Sequence, residues 1–151
     1  MKQYKQSDVK DLPLYGAFIT EGSVLQAQGD AAKDVYSTCN YSPDLDNEEN
    51  RKFVAAWRQA YPDATPTTYA MASYDAAAVL DRAIAAAGAN PTPESINAAV
   101  AKLGQIPSPR GTWQFGPKTH SPIQKWYLRQ VRNDGRALAN VMVQDLSTVG
   151  S

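Results

Sequence analysis

The stretch from Thr67 to Gly88, TTYAMASYDAAAVLDRAIAAAG, constrains this chain more than any other. Nine of its residues are alanine, the strongest intrinsic helix former, and no glycine or proline interrupts it before Gly88. The pattern predicts one long helix, closed by Gly88 in the left-handed conformation that glycine tolerates just past a helix end. Tyr74, Ala78 and Asp81 fall on one side at helical spacing, and Met71, Ala78 and Ala85 mark a strip along which another backbone can approach closely. A helix of this kind is expected to be buried on more than one side.

The elements around it alternate between strand and helix signals. Met1 to Lys10 is polar and fits the last turns of a solvent-facing helix whose beginning is absent. Leu12 to Ile19 is a short apolar run whose length favours a buried strand. Thr20 or Ser23 can cap a short helix through Gln28, and Gly29 closes it. Val35 to Cys39 predicts a second strand, left through the turn Asn40-Tyr41-Ser42-Pro43. Asp46 with Glu49 is a variant of the capping box and opens a helix to Tyr61, with Phe53, Val54, Trp57 and Tyr61 inward and Pro62 as the stop. Thr92-Pro93-Glu94 starts a further helix that carries Ile96, Val100 and Leu103 inward and ends at Gly104. After the linker Pro107 to Gly111, strands are expected over Thr112 to Phe115, Lys125 to Val131 and Leu138 to Val143. The last two are joined by Asn133-Asp134-Gly135, residues that tolerate positive φ.

Composition narrows the function classes. A chain of 151 residues with 43% hydrophobic content can form a real core. Lysine plus arginine equals aspartate plus glutamate, 15 against 15, so there is no basic footprint for nucleic acid and no polybasic membrane patch. A neutral small solute or a zwitterion suits that balance better than a polyanion. No apolar run is long enough to span a bilayer, and the N-terminus does not have the form of a signal peptide. Cys39 is the only cysteine, which excludes an internal disulfide framework, although it could pair with a cysteine outside this sequence.

Catalytic and metal-binding patterns are weak. His120 is the only histidine and has no ligand partners at a characteristic spacing, so a surface position in the KTHSP loop explains it better. A Cys39 and His120 pair has no local signature of a thiol nucleophile. The acidic run Asp44 to Glu49 has Glu49 where a calcium loop needs glycine and Ala55 where it needs glutamate; acids favoured at a helix N-terminus explain it. Asn40-Tyr41-Ser42 is formally a glycosylation acceptor, meaningful only in a eukaryotic secretory context. Neither a nucleophile elbow nor a glycine-rich phosphate loop is present, so no enzyme, cofactor or metal is expected.

Several ordered pieces instead carry a family resemblance. Gly29-Asp30-Ala31-Ala32 before Val35-Tyr36-Ser37-Thr38, Phe53 to Tyr61 before Pro62, Tyr74-Asp75-Ala76 in the alanine-rich helix, and Gly111-Thr112-Trp113-Gln114-Phe115 before Trp126 to Val131 follow one another across nearly the whole chain. Together they resemble the C-terminal portion of type I periplasmic solute-binding proteins, the branched-chain amino-acid class of ABC importers. The resemblance implies an α/β fold, part of a two-lobed receptor and ending in a C-terminal β-hairpin. Residues 1–45 would then belong to the second lobe, 46–106 to helices of the first, and 107–151 to the closing strands and hairpin.

Two segment ends are the candidate ligand-binding positions. One is Ala17, Phe18 and Thr20, where a strand of an open α/β sheet ends. The resembled family often places there an acid for a ligand ammonium; this chain has Phe18 near that position and Glu21 one register away. The other is Tyr69, Ala70 and Met71 at the start of the long helix, where the family places a cleft-lining aromatic. Tyr69 can equally serve only to pack that helix start. Trp57, Tyr74, Trp113 and Trp126 are expected in the core. The resemblance further implies a small amino-acid-like or aromatic carboxylate solute, an ABC permease as partner, and a periplasmic or extracellular, membrane-anchored location. At this length the chain is expected to be an incomplete portion whose orphaned apolar faces favour self-association and whose own affinity for solute is weak. A stand-alone α+β interaction module is the alternative, and it would be a cooperatively folded monomer.

Overall fold

The computed structural model describes residues 1–149. The long alanine-rich segment forms α4, Thr68–Ala87, with Thr67 as its N-cap accepting from Ala70 N–H and Gly88 at its end with φ of 89°. Before it come α1 (Lys2–Lys5), β1 (Tyr15–Ala17), α2 (Gly22–Gln28), a 3-10 turn (Gly29–Ala32), β2 (Tyr36–Cys39) and α3 (Glu48–Ala60). After it come α5 (Pro93–Val100), β3 (Gln114–Phe115), β4 (Pro122–Asn133) and β5 (Leu138–Val149). The α/β reading and the C-terminal hairpin are therefore both realised.

The sheet is mixed. β1 runs parallel to β2, β2 pairs antiparallel with β4, and β4 also pairs antiparallel with β5 and, near its start, with β3. The hairpin turn works as its residues suggest: Asn133 Oδ1 accepts from Gly135 N–H at 2.8 Å, and Asp134 N–H reaches Ala137 O. The helix starts are also built from the residues that mark them, with small shifts. Thr92 and Ser95 form a reciprocal capping box at α5. At α3 the cap is Asn47, whose side chain accepts from Asn50 N–H, rather than Asp46; Asp46 pairs instead with Arg51. At α2 the N-cap is Glu21, and neither Thr20 nor Ser23 caps it, because the Thr20 hydroxyl is committed to Asn140.

The largest core cluster joins Tyr41, Leu45, Phe53, Val54 and Met71 to Tyr127, so that α3 and α4 pack together against β4. Asn50, 2% exposed, organises the crossover from β2 to α3: its amide donates to Pro43 O and Leu45 O, and its carbonyl accepts from the Tyr41 hydroxyl. The same crossover covers part of the outer edge of β5, since the Asp44 carboxylate accepts from Met142 N–H at 2.9 Å. A carboxylate placed there occupies a backbone donor that an exposed edge strand would offer to another chain.

Three burial expectations need correction: β1, expected as a buried strand, leaves Tyr15 and Ala17 exposed, because it lies at the edge of the sheet. α4 buries only the stripe Thr68, Met71, Asp75, Val79 and Ala83. Tyr74, Leu80 and Ile84 remain 44–51% exposed, because α4 has packing partners on one side only among the described residues. Trp113 is buried as expected, Trp57 and Trp126 are half-buried, and Tyr61 is exposed beyond the end of α3. The Asn50→Ala variant should strand two carbonyls and the Tyr41 hydroxyl at about 1 kcal/mol or more each, so a loss of about 3 kcal/mol is expected. Urea denaturation of the two proteins measures it.

Candidate functional site

The C-terminal ends of β1 and β2 are where the chemistry of this molecule gathers. Gly16 permits the turn that follows β1: a Cβ there would lie 2.3 Å from Ile19 Cδ1. Phe18 leaves the strand with φ of 59°, an unusual conformation for a bulky residue, and its ring meets Trp126 edge-on at 6.4 Å. Two residues on, Thr20 and Glu21 turn inward and are essentially sealed from solvent.

Glu21 pairs there with Arg129 of β4, Oε1 to Nη2, at 2.6 Å. Arg129 also donates to Tyr41 O at 2.9 Å and to Ser37 Oγ at 3.2 Å, while its Nε has no hydrogen-bond partner. The second Glu21 oxygen accepts from Thr68 N–H at 3.1 Å, so the residue that precedes α2 places its carboxylate on the amide-rich, electropositive start of α4. Asn140 of β5 completes the cluster by exchanging hydrogen bonds with Thr20, through Thr20 O and the Thr20 hydroxyl, each at 2.7 Å. Burial, and next the charge of Glu21, push the Tyr41 hydroxyl far above its ordinary pKa, so Tyr41 stays neutral.

A second buried ion pair lies nearby. Asp75 of α4 sits 2.9 Å from Arg110 Nε, close enough for ion pairing though not aligned as a hydrogen bond, and accepts from Ser108 Oγ at 2.9 Å. The Arg110 guanidinium lies over the Trp113 ring at 4.2 Å. Burial raises the Asp75 carboxyl above its ordinary value and lowers Arg110, so desolvation of both ions exceeds what their attraction returns. Burial also pushes the Tyr127 hydroxyl, which donates to Arg110 O, up to about 12. The two pairs are linked through side chains and one backbone amide: Arg110 to Gln124, Gln124 to Asn40, Asn40 to the Thr68 hydroxyl at 3.0 Å, and Thr68 N–H to Glu21.

Beside this network lies a recess of about 320 Å³. The first turn of α2 (Glu21, Gly22, Ser23), Trp57 of α3, the loop from Asp63 to Thr67, and Arg129 and Asn140 form its walls. It combines apolar surface from Leu25, Pro43, Trp57 and Pro66 with a few polar groups, the composition of small-molecule sites. No helix among the described residues is long and apolar enough to cross a membrane, and no cluster of metal-ligating side chains occurs among them.

The sequence-predicted positions flank this recess without lining it. Ala17, Phe18 and Tyr69 are exposed and Ala70 is half-buried, whereas Thr20 is held by Asn140 and Met71 is fully buried in the main core. The walls are formed by their chain neighbours, Glu21 to Ser23 and Asp63 to Thr67. Arg129 and Asn140 were missed altogether. Alternation along β4 was the available signal, since it puts Arg129 on the same face as the buried Tyr127 and Val131.

A sequence model of the periplasmic binding protein family matches residues 1–136. The Leu/Ile/Val-binding protein homolog 6 of Brucella abortus is 32% identical over 114 residues, which are 75% of this chain and 29% of that protein. Two solved structures from Rhodopseudomonas palustris are also similar. A solute-binding protein of an ABC transporter in complex with 3,4-dihydroxybenzoic acid superposes with a TM-score of 0.83 at 26% identity, over 99% of this chain and 42% of that one. A solute-binding protein in complex with benzoate superposes with a TM-score of 0.73 at 32% identity, over 89% and 37%. This chain therefore spans less than half the length of each of these proteins.

Arg129→Met alone should cost about 3–5 kcal/mol, because it leaves the Glu21 carboxylate buried without its partner. Adding Glu21→Gln should restore part of that loss, as a denaturant double-mutant cycle would show. Asp75 makes a pH-dependent contribution of definite sign. With its folded pKa above the unfolded one, it stabilises the fold fully below the ordinary value of 3.8, and this contribution fades as pH rises through the raised value. A carboxyl titration by NMR should place the Asp75 midpoint above 3.8.

Proposed function

The chain belongs to the periplasmic binding protein family, and we propose that it forms one side of the solute cleft of an extracytoplasmic, membrane-anchored ABC importer component whose solute is a small aromatic carboxylate. In this reading residues 1–45 belong to one lobe, 46–106 to helices of the other, and 107–151 to the strands that cross between them. An ABC permease is the partner of the complete receptor, and closure of the two lobes around solute is the signal it receives.

One observation carries the choice of solute class. Glu21, the acid nearest the position at which an amino-acid ligand's ammonium would be met, spends both carboxylate oxygens on Arg129, Asn140 and Thr68 N–H. The recess then offers Trp57 and Pro66 as ring-facing surface, with the side chains of Ser23, Thr65 and Thr67 as donors for a carboxylate. Phe18 against Trp126 adds a further aromatic contact after β1. Two relatives crystallised with benzoate and 3,4-dihydroxybenzoic acid support the same class.

Tyr69, Tyr74, Leu80 and Ile84 form an exposed apolar side of α4, which supports association of this chain with further copies or with the rest of a receptor. Light scattering should accordingly give a mass above that of the monomer, and a monomer with a sharp melt would favour a stand-alone module. The solute reading is tested by following tryptophan fluorescence during titration with benzoate, 4-hydroxybenzoate and leucine at millimolar concentration. Both aromatic acids should change the emission, and Trp57→Phe should remove most of the change. A response to leucine alone would overturn this solute class.

A further inference from the structure

We infer that Glu21 is a positioning residue which ties the start of α4 to β4 and thereby closes the recess to solutes carrying an ammonium group. The inference rests on the solute-binding reading above and specifies it. Glu21 is 5% exposed and lines the recess, and both of its carboxylate oxygens are engaged. Oε1 is 2.6 Å from Arg129 and 3.4 Å from the Asn140 amide, and Oε2 accepts from Thr68 N–H at 3.1 Å.

A cationic head group would compete with these donors for the same two oxygens. Arg129 is 1% exposed and has no other anion within ion-pairing distance among the described residues, so losing Glu21 would leave its charge buried and unpaired. Displacing Thr68 N–H would leave the first amide of a 20-residue helix without its partner, since the cap Thr67 serves Ala70 N–H instead. A solute with a carboxylate and no ammonium meets neither penalty. The same tie sets the loop that forms the opposite wall, because Thr68 directly follows the Asp63 to Thr67 segment.

Two measurements on the chain itself test this. The first is amide hydrogen exchange in the wild type and in Glu21→Ala, with α5 as the internal reference. Exchange at Thr68 should accelerate at least tenfold while the amides of α5 change little. Unchanged exchange at Thr68, or equal acceleration in α5, would overturn the positioning role. The second compares 3-phenylpropionate with L-phenylalanine, the same skeleton without and with the ammonium, by amide shifts at Ser23, Thr65 and Thr67. Half-saturation should need at least ten times less phenylpropionate, and equal or tighter binding of phenylalanine would overturn the selectivity. If neither solute moves these signals, the solute-binding reading fails and the selectivity with it, while the exchange result still decides whether Glu21 positions α4.

Discussion

The buried pair between Glu21 and Arg129 is the interaction on which the rest of the arrangement depends. Arg129 stands on the central strand β4 and reaches Tyr41 O, Ser37 and Glu21, so it ties β2, the crossover after β2 and the start of α2 to one point. Glu21 extends the tie to α4 through Thr68 N–H. Two ions at 1% and 5% side-chain exposure cost desolvation that their attraction only partly offsets, and the pair becomes tolerable because backbone and side-chain donors complete it. Its value lies in placement: segments far apart in sequence are fixed at one location beside the recess.

That placement has an electrostatic consequence. A lone buried acid would attract a cation, and a lone buried arginine would attract an anion. Joined, they present a nearly neutral wall to the recess. The Asp75 and Arg110 pair repeats the design at the other end of the Gln124-Asn40-Thr68 link, with Trp113 covering the guanidinium. The polar network thus runs from the α4 stripe to the strand ends through groups that are largely satisfied internally, which holds the elements in register and leaves little charge to meet solvent.

Much of the fold was legible because local rules and tertiary packing agree. Alanine content and Gly88 mark α4 to within a residue of its ends, Thr92-Pro93 marks α5, and Asn133-Asp134-Gly135 marks the hairpin. Disagreements arose where one residue had two offers. Thr20 could cap α2 or bond Asn140, a partner 120 positions away, and the buried partner prevails. Asn47 rather than Asp46 caps α3, while Asp46 faces Arg51 in solvent. The outer side of α4 was read as buried because small and apolar residues occur all round it, yet burial also requires an element to pack there. Candidate site positions came within a few residues of the recess because strand ends and helix starts are recognisable in sequence, while their side-chain directions are not.

By itself the sequence determined most of the secondary elements, the neutral charge balance and the family to which these pieces in this order belong. Each of those follows from short-range propensity, composition or ordered motifs, all of which can be read locally. Only the tertiary structure decided which charges pair. Glu21 and Arg129 are 108 residues apart, as their numbers show, and nothing near either one announces the other. Their meeting depends on β2 pairing with β4 and on the β1 turn carrying Glu21 inward, and long-range pairing of this kind is set by the whole packed fold. Whether Glu21 is an open anion or a paired tie was therefore a property of the folded molecule.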